Sequence, residues 1–247
     1  MIDDVLQITN IIQVKVFINL GLYVSERIKA AKIEREPFPH FVVDHVFPDD
    51  FYRDLLAHLP VEEEYVSPDA YRFGLDLDDS GLARLIADRK AFWDEFCGWL
   101  LAKPFLVAAA SQVYSDLNIR FFGRENVDME SSASLARSKA GFVLGPHTDL
   151  PHRILTLVFF LAEDDVNWEL GTSIYQSREP DFTCAGGPHY GLENFRKLAT
   201  MRFLPNTVFG FLKTDQSFHG VEPWIDTNIV RNTLQYEIHD ADRSHYY

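Results

Sequence analysis

Cysteine is scarce in this chain. Only Cys97 and Cys184 occur, and they form neither a zinc pattern nor a thiol redox pair. Nothing in the sequence supports a disulfide between them. Positive charge is short as well, with 23 Lys and Arg against 37 Asp and Glu and a formal net charge of −14. No Lys/Arg-rich stripe occurs, so a general nucleic-acid surface is not expected; an acidic surface suits a small cationic substrate. No apolar run approaches the length of a membrane-spanning helix. The stretch Ile11 to Leu22 has no positive leader and no small-residue cleavage pattern. The expectation is a chain that is neither membrane-bound nor secreted, in a reducing cytoplasmic compartment. Two nucleotide signatures are also missing. No Gly-x-Gly-x-x-Gly follows a strand, and no Walker-type phosphate loop is present.

What the chain does have is apolar and aromatic residues. Its 247 residues are 47% hydrophobic, with twenty Phe, ten Tyr and four Trp. That is enough to bury a sizeable core, and the aromatics favour a strand-rich interior. Residues Met1 to Lys32 read as a short strand and a helix. Phe38 to Phe47 reads as a strand, Phe51 to Leu59 as a helix, and Glu62 to Asp79 as a polar connection. Helical spacing of Leu82, Leu85, Ile86, Phe92, Trp93, Phe96 and Leu100 predicts one long helix over Ser80 to Leu101. Pro104 interrupts or restarts it before Ala110. From Gln112 the texture changes to short strand-like runs: Val113 to Phe122, Gly141 to Leu144, Ile154 to Leu161, Arg202 to Leu212 and Ile229 to Ile238. Many short strands between Gly, Pro, Asp and Asn turns favour a jelly roll or another all-β barrel. The expected organisation is one domain over 1–247, with mixed, helical support in 1–111 and a jelly-roll core in 112–240.

The chemistry concentrates in Gly145-Pro146-His147-Thr148-Asp149 and in Ser217-Phe218-His219-Gly220. Residues two apart in an extended strand leave from the same face, so His147 and Asp149 point together. With His219 they make two imidazoles and one carboxylate. That set suits non-haem Fe(II) and leaves positions open for a co-substrate and dioxygen. Arg231 lies twelve residues beyond His219 among strand formers. A buried guanidinium needs an anion, and it matches a planar carboxylate through two parallel hydrogen bonds.

These residues carry a family resemblance. Gly141-Phe142-Val143-Leu144-Gly145-Pro146-His147-Thr148-Asp149, Phe218-His219-Gly220-Val221 and Arg231 resemble the Fe(II)/2-oxoglutarate-dependent dioxygenases, in particular the bacterial prolyl-hydroxylase-like branch. The resemblance spans roughly Gln112 to Glu237, about half the chain. It implies a double-stranded β-helix (jelly roll, cupin-like) with N-terminal supporting helices, and iron held by His147, Asp149 and His219. It also implies 2-oxoglutarate anchored by Arg231, with Arg202 and Arg120 as substitutes. The implied reaction consumes O2 and 2-oxoglutarate, releases succinate and CO2, and hydroxylates a C–H bond. Asp149, intact here, disfavours halogenation.

Period-two reasoning places the Thr156 hydroxyl inside the barrel, and either Gln235 or Tyr236 beside the co-substrate. His152 and Arg153 read as loop contacts at the mouth. Thr172 or Tyr175 could line the substrate side, against the readings of a turn cap and a core aromatic. Gly186-Gly187-Pro188-His189-Tyr190-Gly191 reads as a surface loop near the entrance, open to a lid role, with His189 a loop histidine. Arg124, Arg137 and Lys139 read as solvated charge or as contacts to an acidic substrate group. The expected substrate is a small molecule, or a peptide or carrier-bound group; oligomeric state is not specified by the sequence. Two other classes stand beside this one. One is a non-catalytic jelly-roll binding module, the other a cupin-type metal enzyme not using 2-oxoglutarate.

Overall fold

A computed structural model of the chain describes residues 20–124 and 127–246. The N-terminal strand expectation falls on residues outside these; the helix is present as α1, residues 20–29. Among the described residues no helix is long and apolar enough to cross a membrane.

Among the described residues, ten strands form two antiparallel sheets. The larger has the order β1 (His40–Val43), β8 (Thr207–Leu212), β5 (Arg153–Phe160), β10 (Val230–Asp240), β3 (Met129–Lys139), β2 (Arg72–Asp76). The smaller has the order β4 (Leu144–His147), β9 (His219–Val221), β6 (Thr172–Ser177), β7 (Phe195–Met201). From β3 onward the chain passes between the sheets as large, small, large, small, small, large, small, large. This is a jelly roll. The N-terminal half supplies more than helices, because β1 and β2 extend the large sheet at its two edges.

Alternation along each central strand sends one set of side chains to each face. On the outer face, Leu155, Leu157, Phe159, Leu234, Tyr236 and Ile238 meet α1 and a layer of helices. These are α2 (Asp49–Ala57), α4 (Ala87–Leu100) and α5 (Lys103–Ser111), with the short α3 (Asp79–Leu82) and α6 (Tyr114–Arg120) beside them. Phe47 stacks on Phe159 with ring centres 5.5 Å apart, and Phe105 meets Tyr236 edge-on at 5.1 Å. On the inner face, Val158, Phe160, Phe209 and Phe211 meet Ile174 and Val221 of the small sheet. Both faces of β5 are buried, which explains its unbroken apolar sequence. Replacing Phe159, fully buried on the outer face, by alanine is expected to cost about 3–5 kcal/mol. Denaturant unfolding measures that loss, and metal affinity should be retained because the ring faces away from the site.

Several expected elements are corrected. Val113 to Phe122 is not a strand but contains α6; Val113, Leu117 and Phe121, four apart, turn one face to the core. The long helix is broken into α3 and α4, because Ile86 is extended and its N–H donates to the Glu64 carboxylate at 2.8 Å. Glu62 to Asp79 contains β2. Strands β3 and β7 had no apolar alternation to betray them. Cys97 and Cys184 are both free thiols.

Candidate metal centre

Strands β4 and β9 lie side by side at the mouth of the roll, and their register pairs His147 directly with His219. The two imidazoles sit 4.3 Å apart between ring centres. Strand β4 ends at His147, so Asp149 reaches the same point from the loop that follows, not from the strand. Its carboxylate lies 3.7 Å from His219 Nε2. One ligand atom from each of His147, Asp149 and His219 falls within 4.8 Å of the others, and all three residues are buried.

Hydrogen bonds orient each member. His147 Nδ1 lies 3.0 Å from the Gly145 carbonyl, and His219 Nδ1 lies 3.0 Å from the Ser217 carbonyl. A carbonyl only accepts, so each Nδ1 carries the proton and each Nε2 turns a lone pair to the shared space. Burial keeps both rings neutral: it pushes His147 down to about 3, with the neighbouring His219 adding to the effect, and it lowers His219 as well. Burial works against Asp149 in the opposite sense, but His219, the Arg153 guanidinium and the Thr156 hydroxyl together hold it at about 2. Arg153 Nη1 donates to Oδ1 at 2.9 Å and Thr156 Oγ1 to Oδ2 at 2.7 Å. Two neutral imidazoles and one ionised carboxylate at neutral pH are the donor set a divalent first-row metal requires. Partners behind ligands tune metal affinity by about 10–100-fold. Thr156→Val should therefore weaken metal binding several-fold or more, read by calorimetric titration of a divalent metal, with little change in unfolding temperature.

Arg231 opens into the same cavity of about 220 Å³ as the three ligands. Its guanidinium donates to the Leu170 carbonyl at 2.6 Å and meets Thr172 Oγ1 at 3.4 Å. The rings of Phe160 and Phe203 lie below 6 Å from it, at 5.9 and 5.7 Å. Among the described residues no carboxylate pairs with it, and burial alone pulls it down to about 10, still protonated at neutral pH. A buried cation without a counter-charge is costly. The cavity is therefore complementary to an anion at this end and to a metal at the other.

The remaining expected site residues separate. Gln235 lines the cavity, whereas Tyr236 faces the outer core. Thr156 lines it too, but its hydroxyl is committed to Asp149. Arg202 is exposed and stacks on Trp168, and Arg120 donates to the carbonyls of Lys213 and Pro151. Neither lines this cavity. Thr172 lines it beside Arg231, while Tyr175 packs against Phe218 and Phe195. Arg124 pairs with Asp240, and Arg137 and Lys139 with Glu62.

Sequence reasoning undervalued two residues. Arg153 is not a mouth contact; it bridges Asp149 and Glu237, the latter at 2.7 Å. No spacing rule signals this pair, because a loop and turn, not a helix, bring Arg153 back to Asp149. His189 comes to 4.5 Å from His147 between ring centres and lines the cavity with Gly187. Its loop packs tightly on the ligand loop: a Cβ at Gly186, where φ is +134°, would strike the Asp149 carbonyl, and one at Gly145 the Tyr190 carbonyl. His152 stands near His239, 5.5 Å between ring centres.

No family model and no curated protein matches the chain. Solved structures similar to it include a Burkholderia pseudomallei oxidoreductase of the 2OG-Fe(II) oxygenase family, with 12% identity, TM-score 0.48, and 82% of this chain and 85% of that one covered. A Pseudomonas putida prolyl-4-hydroxylase shows 15% identity and TM-score 0.46 over 87% of this chain and 98% of its own. HygX from Streptomyces hygroscopicus, with nickel and 2-oxoglutarate bound, shows 10% identity and TM-score 0.46 over 82% and 83%.

Proposed function

We propose that this chain is a non-haem Fe(II) and 2-oxoglutarate-dependent dioxygenase of the prolyl-hydroxylase-like kind, hydroxylating an unactivated C–H bond and releasing succinate and CO2. The carrying observation is one cavity that holds both halves of the requirement: His147, Asp149 and His219 converge at one place, and unpaired, buried Arg231 faces the same space. The substrate class is an amino acid, peptide, sugar or secondary-metabolite intermediate, free or carrier-bound. A reducing, cytoplasmic setting suits both ferrous iron and two free thiols.

The chain's own residues have defined tasks in this reading. His147 and His219 offer Nε2, each locked in one tautomer by its backbone carbonyl. Asp149 offers a carboxylate oxygen while Arg153 and Thr156 fix its plane. Arg231 takes the far carboxylate of 2-oxoglutarate, with Thr172 beside it, and so sets which end of the co-substrate faces the ligands. Phe211, 4.4 Å from the His219 ring, and Val158 wall the space with apolar surface that limits water. Bound iron supplies the activation of dioxygen that no side chain here provides. Arg231 favours this reading over a cupin-type enzyme that does not use the keto acid.

The test is succinate release from 2-oxoglutarate by the full chain, with and without Fe(II), and after chelation. Release that needs Fe(II) and stops on chelation supports the proposal. Release indifferent to iron, or none from iron-loaded folded protein across a substrate library, contradicts it.

A further inference from the structure

The inner face of the large sheet changes character at β10. On β5 and β8 it carries Val158, Phe160, Phe209 and Phe211, which pack against the small sheet. Across β10, β3 and β2 the register instead lays down three rows: Arg231–Ser138–Arg72, Thr233–Ala136–Gly74 and Gln235–Ser134–Asp76. The middle row is small, and the rows on either side are polar. Arg72, Asp76, Ser134 and Gln235 from the outer rows line a second cavity of about 530 Å³, which shares Arg72, Arg153 and Gln235 with the cavity of the ligand cluster. The two adjoin at these shared residues, a trough that runs from the ligand cluster toward the β2 edge of the sheet.

Three observations indicate what the trough accepts. First, the position between Arg72 and Asp76 on this face carries no side chain: a Cβ at Gly74 meets nothing within 4 Å. Second, Arg72 and Asp76 stand on the same face of β2, four residues and about 13 Å apart. Their side chains make no hydrogen bond or ion pair among the described residues. Third, the other charges there are already used. Glu237 is held by Arg153 at 2.7 Å, and Asp78 caps α3 through the Gly81 N–H at 2.9 Å. One cation and one anion without a hydrogen-bonded partner, both felt through space by Glu237, face the same space as the neutral Ser134 and Gln235.

We infer that this trough is the substrate site and that it recognises a polar zwitterion, an amino acid or short peptide, with its ammonium at Asp76 and its anionic end at Arg72. Ser134 and Gln235 meet the polar groups between. The inference rests on the proposed activity for what happens to the substrate, but not for how it is bound. Exposed charges on an edge strand are ordinarily solvated. Here they line a cavity that adjoins the one holding the buried metal ligands, and Gly74 leaves room between them.

The test titrates the full chain calorimetrically with a fixed set of free amino acids and linear dipeptides, each alongside its N-acetyl and carboxamide forms. Stimulated succinate release is then measured with Fe(II) and 2-oxoglutarate. Binding should be confined to members carrying both charges. Asp76→Asn should weaken them about tenfold or more and erase the preference over the N-acetyl forms. Gly74→Leu, which puts bulk between Arg72 and Asp76, should remove binding. Affinity for 2-oxoglutarate, measured in parallel, should change by less than about twofold in both variants. No binding of any zwitterion, preference for the blocked forms, or parental affinity in both variants would overturn the assignment. Failure of the dioxygenase reading is separately visible, as loss of iron-dependent decarboxylation in the unaltered chain while the zwitterion still binds.

Discussion

Replacing Arg231 by methionine should weaken 2-oxoglutarate binding by roughly 30-fold or more, as expected when one partner of a buried charge pair is removed, a loss of about 2–5 kcal/mol. The reason lies in the surroundings of the guanidinium. It is 4% exposed, its hydrogen bonds go to a carbonyl and a hydroxyl, and no described carboxylate answers its charge. An incoming carboxylate therefore gains the whole attraction of an uncompensated cation in a dry site. The ligand-free protein should respond differently. Methionine relieves a buried charge that costs several kcal/mol, against about 1–3 kcal/mol for the lost bond to Leu170. The variant should thus be at least as stable as the parent without ligand, yet lose the rise in unfolding temperature that 2-oxoglutarate gives the metal-loaded parent. That rise corresponds to about 2.7 kcal/mol at a hundredfold excess over Kd. A variant keeping the parental rise would move the anchoring role to another residue.

His219→Ala should reduce iron-dependent succinate release to the level of free iron in solution, and His147→Ala and Asp149→Ala should do the same. Each removes one of the three donors that converge on the shared space, which weakens the metal and opens its geometry. The three variants should differ in the folded protein they leave. Loss of Asp149 leaves the Thr156 hydroxyl without its partner and Arg153 with Glu237 alone, so this variant should also lose stability. Loss of His219 leaves space beside the Phe211 ring. His219→Gln keeps bulk there and should be folded but equally inactive. Full turnover in a folded His219 variant would remove that imidazole from the metal set.

Much of the site was legible in the chain, for a physical reason. A metal centre needs particular atoms, and His147, Asp149, His219 and Arg231 had few rivals once the strand texture around them was seen. Asp149 points to the same place as His147, as the two-residue spacing predicts, but not by strand alternation. Strand β4 stops at His147, and a loop under tight backbone packing delivers the carboxylate. Strand β5 was readable as a continuous apolar run, α2 from the proline and acidic signals at its ends, and β10 from its alternation. Strand β3 was not, because its inner face is Ser132, Ser134, Ala136 and Ser138; its strand state comes from eleven residue pairs with β10. Strand β2 was hidden in the same way, by Gly74 and two charges on one face. The α6 error arose because Val, Tyr, Ile and Phe have strand propensity, while helical spacing of Val113, Leu117 and Phe121 decided the outcome. The sheet face that resisted sequence reading is thus the one that borders the proposed substrate trough.

One spectroscopic titration addresses metal and keto acid together. Under anaerobic conditions, Fe(II) and 2-oxoglutarate are added in turn to the purified chain while visible absorption is followed. A weak band that needs both additions, saturates at one equivalent of iron, and is lost in His219→Ala is the predicted outcome. A folded, iron-loaded chain that develops no such band at saturating 2-oxoglutarate would contradict the account.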